Sequence, residues 1–280
     1  MMIGELGIFL VAIALGWLGA LVGFGAGVFI VPVLSGFFGI PLKLAIAASA
    51  LSVIVNSIGG AGVYLRAHLT HVRLALLLEL STTAGAVLGG LLVVIASPDV
   101  LRIALAAVLL LMSGLTVVSR WQRPLAATGA ARGALEHSFV DAATGQAVCY
   151  VPRWLAGGMS LSAVAGVMSG LLGIGGGPIK VSVMNVFMGL PIKAAAGTSI
   201  YMVGITVSAS ALIYYRHGLI DPSVVVPAVL GVFIGSQAGA RLAGRVHGDV
   251  IRWLLVGVLL YLAAMLFLQA LHIHVPGLGR

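Results

Sequence analysis

Gly173-Ile174-Gly175-Gly176-Gly177-Pro178-Ile179-Lys180 interrupts a long apolar run with four glycines and a proline, and Asn185, Pro191-Ile192-Lys193 and Gly197-Thr198-Ser199 follow it. The same pattern stands 150 residues earlier as Gly23-Phe24-Gly25-Ala26-Gly27, then Pro41-Leu42-Lys43 and Ala47-Ala48-Ser49. Laying residues 23–105 over 173–255 without a gap gives 24 identities in 83 positions, where this composition yields roughly 8 by chance. They include Gly39/Gly189, Tyr64/Tyr214, Arg66/Arg216, Gly85/Gly235 and Gly89/Gly239, and Asp99 and Arg102 recur as Asp249 and Arg252. The spacing predicts an internal duplication, an arrangement that in secondary transporters places the site between the two halves.

Apolar residues make up 61% of the chain and charged residues 8%, with a mean hydropathy of +1.19. A soluble globule carries about a quarter of its positions charged, so that class is excluded. A helix crosses a hydrocarbon core of about 30 Å with about 20 apolar residues. Segments 44–65, 74–96, 99–119, 194–215 and 250–271 meet that length, and 223–244 meets it less well because of Gln237 and Arg241. The net charge of +8 sits at segment ends and in loops, which suits orientation by positive loops rather than nucleic acid. Cys149 is the only cysteine, so no intrachain disulfide forms. Met1-Met2-Ile3-Gly4-Glu5 lacks a positive signal region, so the first apolar segment is expected to be retained.

The expected architecture is an all-α membrane protein of two pseudo-symmetric repeats, each of about four segments with a glycine-broken half-helix. The first membrane repeat spans 1–119, a cytoplasmic loop 120–153, and the second repeat 154–280. Gly16, Gly19 and Ala20 in the first segment permit close helix approach. After the first break, Val28–Phe38 is only long enough for about half a membrane. Residues 6–38 are therefore one interrupted crossing, which makes the repeats parallel, or a hairpin that returns to its own side, which makes them inverted. Arg120, Arg123, Arg132 and Arg153 place the central loop in the cytoplasm, and Arg66 and Arg73 agree. Arg216 favours parallel repeats and Arg241, Arg245 and Arg252 inverted ones; the half-length segment tips the reading to inverted. Within the loop, His137–Val140 and Gln146–Val151 read as two short strands around Asp141–Gly145.

Non-helical backbone is tolerated inside a bilayer only where protein or a water-filled cavity covers it, since each bare N–H or C=O costs several kcal/mol. Two glycine breaks thus imply an internal polar site. Each following half-helix would start with unpaired N–H groups and a positive dipole end, which suits an anion, and Pro178 fits its first turn. Lys180 lies within that turn, opposite Ile30 in the first copy; an intramembrane lysine is a functional candidate by default. The substrate-binding set is Gly23, Phe24, Gly25, Gly27, Ser49 and Asn56 from the first half, with Gly173, Gly175, Gly176, Gly177, Lys180, Asn185, Thr198, Ser199 and Tyr201 from the second. Glu79 is the one acidic residue far from a segment end, a proton carrier for coupling or a partner for Lys180. Ser97, Asp99 and Asp249 read as helix caps, and Lys43 and Lys193 as interfacial anchors. His68, His71, His217, His247, His272 and His274 show no metal-ligand spacing, and no metal or cofactor is expected.

Gly173–Lys180, Met184-Asn185, Met188–Lys193, Ala195–Ser199 and the weaker copy from Gly23 to Ser49 resemble the TauE/SafE sulfite-exporter family, the sulfonate-uptake permeases. The resemblance covers nearly the whole chain apart from 120–153. It implies a duplicated multi-pass permease that moves a small organosulfur or sulfur oxyanion (sulfite, a sulfonate, sulfoacetate or thiosulfate) by secondary transport; the residues add the expectations of a cell inner membrane and of proton coupling. The lipid bilayer and that anion are the expected partners, with a homodimer left open. The competing classes are an anion-selective channel and, more remotely, an intramembrane hydrolase using Ser199. Neither glycine run continues as a phosphate loop or a dinucleotide fingerprint.

Overall fold

The computed structural model describes residues 2–22, 25–118, 135–140, 145–242, 256–257 and 260–268. The expectations for Gly23, Phe24, loop 120–134, Asp141–Thr144, Arg245, His247, Asp249, Arg252, His272 and His274 lie outside the described residues. Helices α1 (Met2–Val22), α2 (Gly27–Gly36), α3 (Leu42–Arg66), α4 (Val72–Ile95) and α5 (Pro98–Val118) form the first half. Strands β1 (His137–Val140) and β2 (Ala147–Tyr150) pair antiparallel, as the sequence predicts. Helices α6 (Leu155–Leu172), α7 (Gly177–Ser182), α8 (Ile192–Arg216) and α9 (Pro222–Leu242) follow, with a π-helical turn at Val183–Phe187 continuing α7. Helices α3, α4, α6, α8 and residues Pro222–Gly239 of α9 are long and apolar enough to cross a membrane. Of the expected span 250–271, residues 260–268 are described as helix.

The short segments turn back on the helices before them. A Cβ on Gly19 would meet the backbone of Ala26, and one on Gly7 would meet the ring of Phe38, so α2 runs antiparallel to α1. In the second half a Cβ on Gly176 would meet Ala165 and Ser169, and one on Gly158 would meet Met188, so α7 and its π turn fold back along α6. Of the two alternatives for residues 6–38, the hairpin is the one observed. Ten residues of α2 reach about 15 Å, half a hydrocarbon core.

Close helix pairs hold these hairpins in place. Gly85 and Gly89 of α4 press on backbone atoms of Ala163, Val167 and Leu171, while Gly166 and Gly170 of α6 press back on Thr82 and Ala86. On the other flank Gly231, Gly235 and Gly239 of α9 lie against Phe9, Ile13 and Trp17 of α1, and Gly16 returns the contact at Val232. Glycines one turn apart let backbones approach and gain dispersion contact where lipid supplies no hydrophobic force between helices. Both pairs are parallel. Helices α3 and α8 instead cross antiparallel: Tyr64 lies against Gly197 and Ser57 against Gly204, where Ser57 Oγ donates to Ile200 O at 2.5 Å.

The β-hairpin docks on the turn between α3 and α4. His137 Nε2 lies 3.0 Å from His68 O, and His71 Nε2 lies 3.0 Å from Leu135 O. The two imidazoles stack at 4.9 Å between centroids, with Tyr150 edge-on to both. His71 Nδ1 accepts from Leu74 N–H, so this ring caps α4 as a neutral base. Burial, aided by the like charge His137 would carry, pulls the His71 pKa below its ordinary value, and burial pushes the Tyr150 phenol up. With the native His71 value depressed, the unfolded ring binds more protons, so the stabilisation is complete above about pH 6.5 and is lost as pH falls from there through the lower native value. A spin label on Cys149, exposed on β2, is therefore expected to gain mobility between about pH 7.5 and pH 5.5. His137→Ala is expected to give the mobile spectrum at both.

Candidate functional site

Helix α6 ends at Leu172 and α7 begins at Gly177, so the second break is an ordered interruption of the helical ladder and not a bend. Gly173, Gly175 and Gly176 all take positive φ (65°, 79° and 63°), the left-handed region that a side chain would strain. Gly25 repeats this at 82° in the first break, where Ala26 is right-handed at −69°. The difference between Ala26 and Gly176 thus gives the two breaks different backbone paths. The breaks touch each other: a Cβ on Gly27 would lie 2.9 Å from Gly173 O and 2.5 Å from Val53 Cγ2.

Serine hydroxyls of α3 and α8 reach backbone carbonyls at the edges of the breaks. Ser49 Oγ lies 3.2 Å from Gly27 O and 2.9 Å from Gly173 O, bonding both breaks from α3. Ser199 Oγ of α8 donates to Gly177 O at 3.1 Å. Gly173 closes α6, so its carbonyl lacks a partner within that helix, and leaving it bare would cost about 1–3 kcal/mol. Both serines are fully buried and committed to backbone, which gives them a positioning task.

Lys180 provides the charge. Its side chain is 1% exposed, and its ammonium donates to Thr206 Oγ1 of α8 at 2.5 Å. Thr206 in turn donates to Glu79 Oε1 of α4 at 2.6 Å, and Thr83 donates to the same oxygen at 2.9 Å. Glu79 Oε2 has no hydrogen-bond partner among the described residues and stands 3.9 Å from Lys180 Nζ. Three helices therefore meet at one buried ammonium, one hydroxyl and one carboxylate. The expected pairing of Glu79 with Lys180 is present, spaced by a threonine. Because α7 is only six residues long before its π turn, its dipole is weak, and Lys180 is the dominant positive group here.

The remaining predicted residues fall in three places. Asn56 is buried beside Gly25 with Oδ1 unpartnered, and it stands 150 residues before Thr206; its counterparts to Lys180 and Glu79 are Ile30 and Val229. Thr198 accepts from the His71 N–H at 3.0 Å and Asn185 donates to Leu190 O at 2.7 Å, so both secure backbone away from the breaks. Tyr201 packs beside the cluster of Met184, Met188 and Met202. Lys43, expected at the interface, donates to Val94 O at 2.9 Å and closes the end of α4. Ser97 Oγ accepts from Val100 N–H at 3.4 Å while Asp99 pairs with Arg102 at 2.7 Å, so the cap falls to the serine. The reading missed Thr206, which the 150-residue offset from Asn56 points to directly.

Comparison with known proteins follows the same lines. The family model described as sulfite exporter TauE/SafE matches residues 8–266. The chain is 22% identical over 263 residues to "Probable membrane transporter protein YunE" of Bacillus subtilis (strain 168), covering 91% of this chain and 94% of that one. It is 24% identical over 244 residues to "Probable membrane transporter protein YdhB" of the same organism, covering 87% and 91%. No solved structure matches.

Substituting Gly27 tests the contact between the breaks. Gly27→Ala forces Val53 and the Gly173 carbonyl aside and is expected to destabilise by about 1–3 kcal/mol in thermal melts. Gly62→Ala on α3, where nothing lies within 4 Å, is expected to be neutral or slightly stabilising.

Proposed function

The chain belongs to the sulfite exporter TauE/SafE family, and from that premise we propose that it is a secondary transporter moving a small sulfur-containing anion, coupled to protons, across the cell inner membrane. The family and the relatives support a multi-pass membrane transporter rather than an enzyme. The observation that carries the reading is a lysine buried to 1% beside a break in a membrane helix, held by a hydroxyl and a carboxylate from two other helices. A buried ammonium is costly inside a bilayer and is kept where it binds or moves something charged. Tetrahedral sulfur oxyanions offer several acceptor oxygens, which suit an ammonium with three donors and nearby glycine N–H groups.

The proposed repeats are inverted. Helices α3 and α8 have identical lengths at the 150-residue offset, the Ser49–Gly27 and Ser199–Gly177 bonds are equivalents, and Val53 and its counterpart Val203 both flank Gly175. Equivalent helices running antiparallel at their crossing fit a two-fold axis in the membrane plane. The pairs α1 with α9 and α4 with α6 then correspond, each joining one repeat to the other.

A channel would need a continuous polar path, whereas residues 25–32 and 172–178 are buried throughout, which favours an occluded carrier state. The Ser199 hydroxyl is given to a carbonyl, and its neighbour Thr198 meets His71 through backbone, so a hydrolytic reading gains no support. The docked β-hairpin lies on the side of Arg66 and Arg73, which supports a cytoplasmic position for both.

Proteoliposome flux of sulfite, sulfoacetate and thiosulfate tests the substrate class. Lys180→Ala is expected to lower the flux of the best substrate by about tenfold or more, with the protein still folded by size-exclusion profile. Orientation is readable through Cys149. In intact cells a membrane-impermeant maleimide is expected to leave it unlabelled, and to label it once the inner membrane is permeabilised.

A further inference from the structure

We propose that the anion and Glu79 compete for Lys180, so that each monovalent anion enters its site together with one proton that neutralises Glu79, and the exchange at the site is electroneutral. The inference rests on the transport reading above and adds its stoichiometry, its selectivity by charge and the residue that carries the proton.

The geometry shows a site that is neutral when empty and has one position to spare. Lys180 spends one donor on Thr206, and the Glu79 carboxylate lies on the far side of that hydroxyl. Oxygen Oε1 accepts two hydrogen bonds, from Thr206 and Thr83, while Oε2 is buried and accepts none. Oε2 and the ammonium face each other at 3.9 Å, close enough for attraction and too far for a hydrogen bond. A loosely held oxygen facing two idle ammonium donors is the place an anionic oxygen would take.

Charge balance decides what must happen when it does. The charged side chain facing Glu79 is Lys180, from α7. Helix α6 contains no ionisable residue; α8 holds Lys193 and Arg216 only at its ends, with Tyr201, Tyr214 and Tyr215 along it. On α4 itself Arg73 lies in the first turn, and on α5 Asp99 and Arg102 pair with each other. An anion added to the intact pair would leave two negative charges against one positive, uncompensated in a low-dielectric interior. If Glu79 takes up a proton on Oε2 as the anion takes the ammonium, the products are a neutral carboxyl group and an ammonium–anion pair. The net charge of the site is zero before and after. Thr206 and Thr83 keep donating to Oε1 in both states, so the carboxyl group needs no new partner for that oxygen. A dianion taking the same place with one proton would leave a net negative charge, so monoanions are the favoured class.

Isothermal titration of the purified protein with isethionate, a monoanionic sulfonate, in buffers of different ionisation enthalpy reads the proton count directly. The expected result is one proton taken up per anion bound, with affinity falling about tenfold per pH unit on the alkaline side. Glu79→Gln preserves the shape and the bonds from Thr206 and Thr83. It is expected to bind isethionate with no proton uptake and with affinity independent of pH, while thermal melts report its folding. Thiosulfate is expected to bind the wild type at least tenfold more weakly than isethionate. Isethionate binding without proton uptake, proton uptake that survives in Glu79→Gln, or thiosulfate binding as tightly as isethionate overturns the competition while leaving the transport reading intact. A wild type that binds none of isethionate, sulfite and thiosulfate defeats both.

Discussion

Backbone that unwinds in the interior of this molecule has to be covered and bonded by protein, because lipid offers no hydrogen-bond partner. The fold follows from how the two breaks meet that demand. Glycines remove the side chains that would clash at positive φ, and the breaks are then pressed together at Gly27 and Gly173. Ser49 reaches the Gly173 carbonyl that the end of α6 leaves open, and Ser49 and Ser199 also bond the carbonyls of Gly27 and Gly177 that start the short helices. Helices α3 and α8 deliver those serines, which is why they cross where they do. The glycine-lined pairs outside them, α1 with α9 and α4 with α6, keep the hairpins from sliding.

The same demand explains the asymmetry of the site. Lys180 and Thr206 of the second half meet Glu79 of the first, while the corresponding positions are Ile30 and Asn56 in the first half and Val229 in the second. Ile30 packs among Ile8, Val11, Leu15 and Phe38, so a lysine at that position would put a charge among apolar side chains. An isoleucine there leaves a single charged centre, with Asn56 as its uncharged counterpart beside Gly25.

Much of this was legible in the residues. Glycine spacing located the second break to within a residue, Pro178 marked the start of the second half-helix, and a pairing with Lys180 was one of the two roles the isolated Glu79 offered. The strand pair was readable because alternating residues flank a turn. What was not legible is where hydroxyls point. Ser49, Ser199 and Thr206 look alike in sequence, yet two hold backbone and one bridges an ion pair. That choice depends on crossing geometry between helices over a hundred residues apart. His71 was equally silent, since a lone histidine at a helix start gives no sign of the strand that will stack on it.

The pairing of α1 with α9 also bears on how the chain is made. Helix α1 is finished at Val22, but the helix it packs against ends at Leu242. At ribosomal speeds of 5–20 residues per second, Gly16 waits about 10 to 40 s for Val232 to emerge. During that interval the face of the first helix formed by Phe9, Ile13, Gly16 and Trp17 has only lipid or chaperone against it. Biogenesis is therefore completed after insertion, and a chain released early leaves a membrane-embedded fragment with an open, adhesive groove that quality control can recognise.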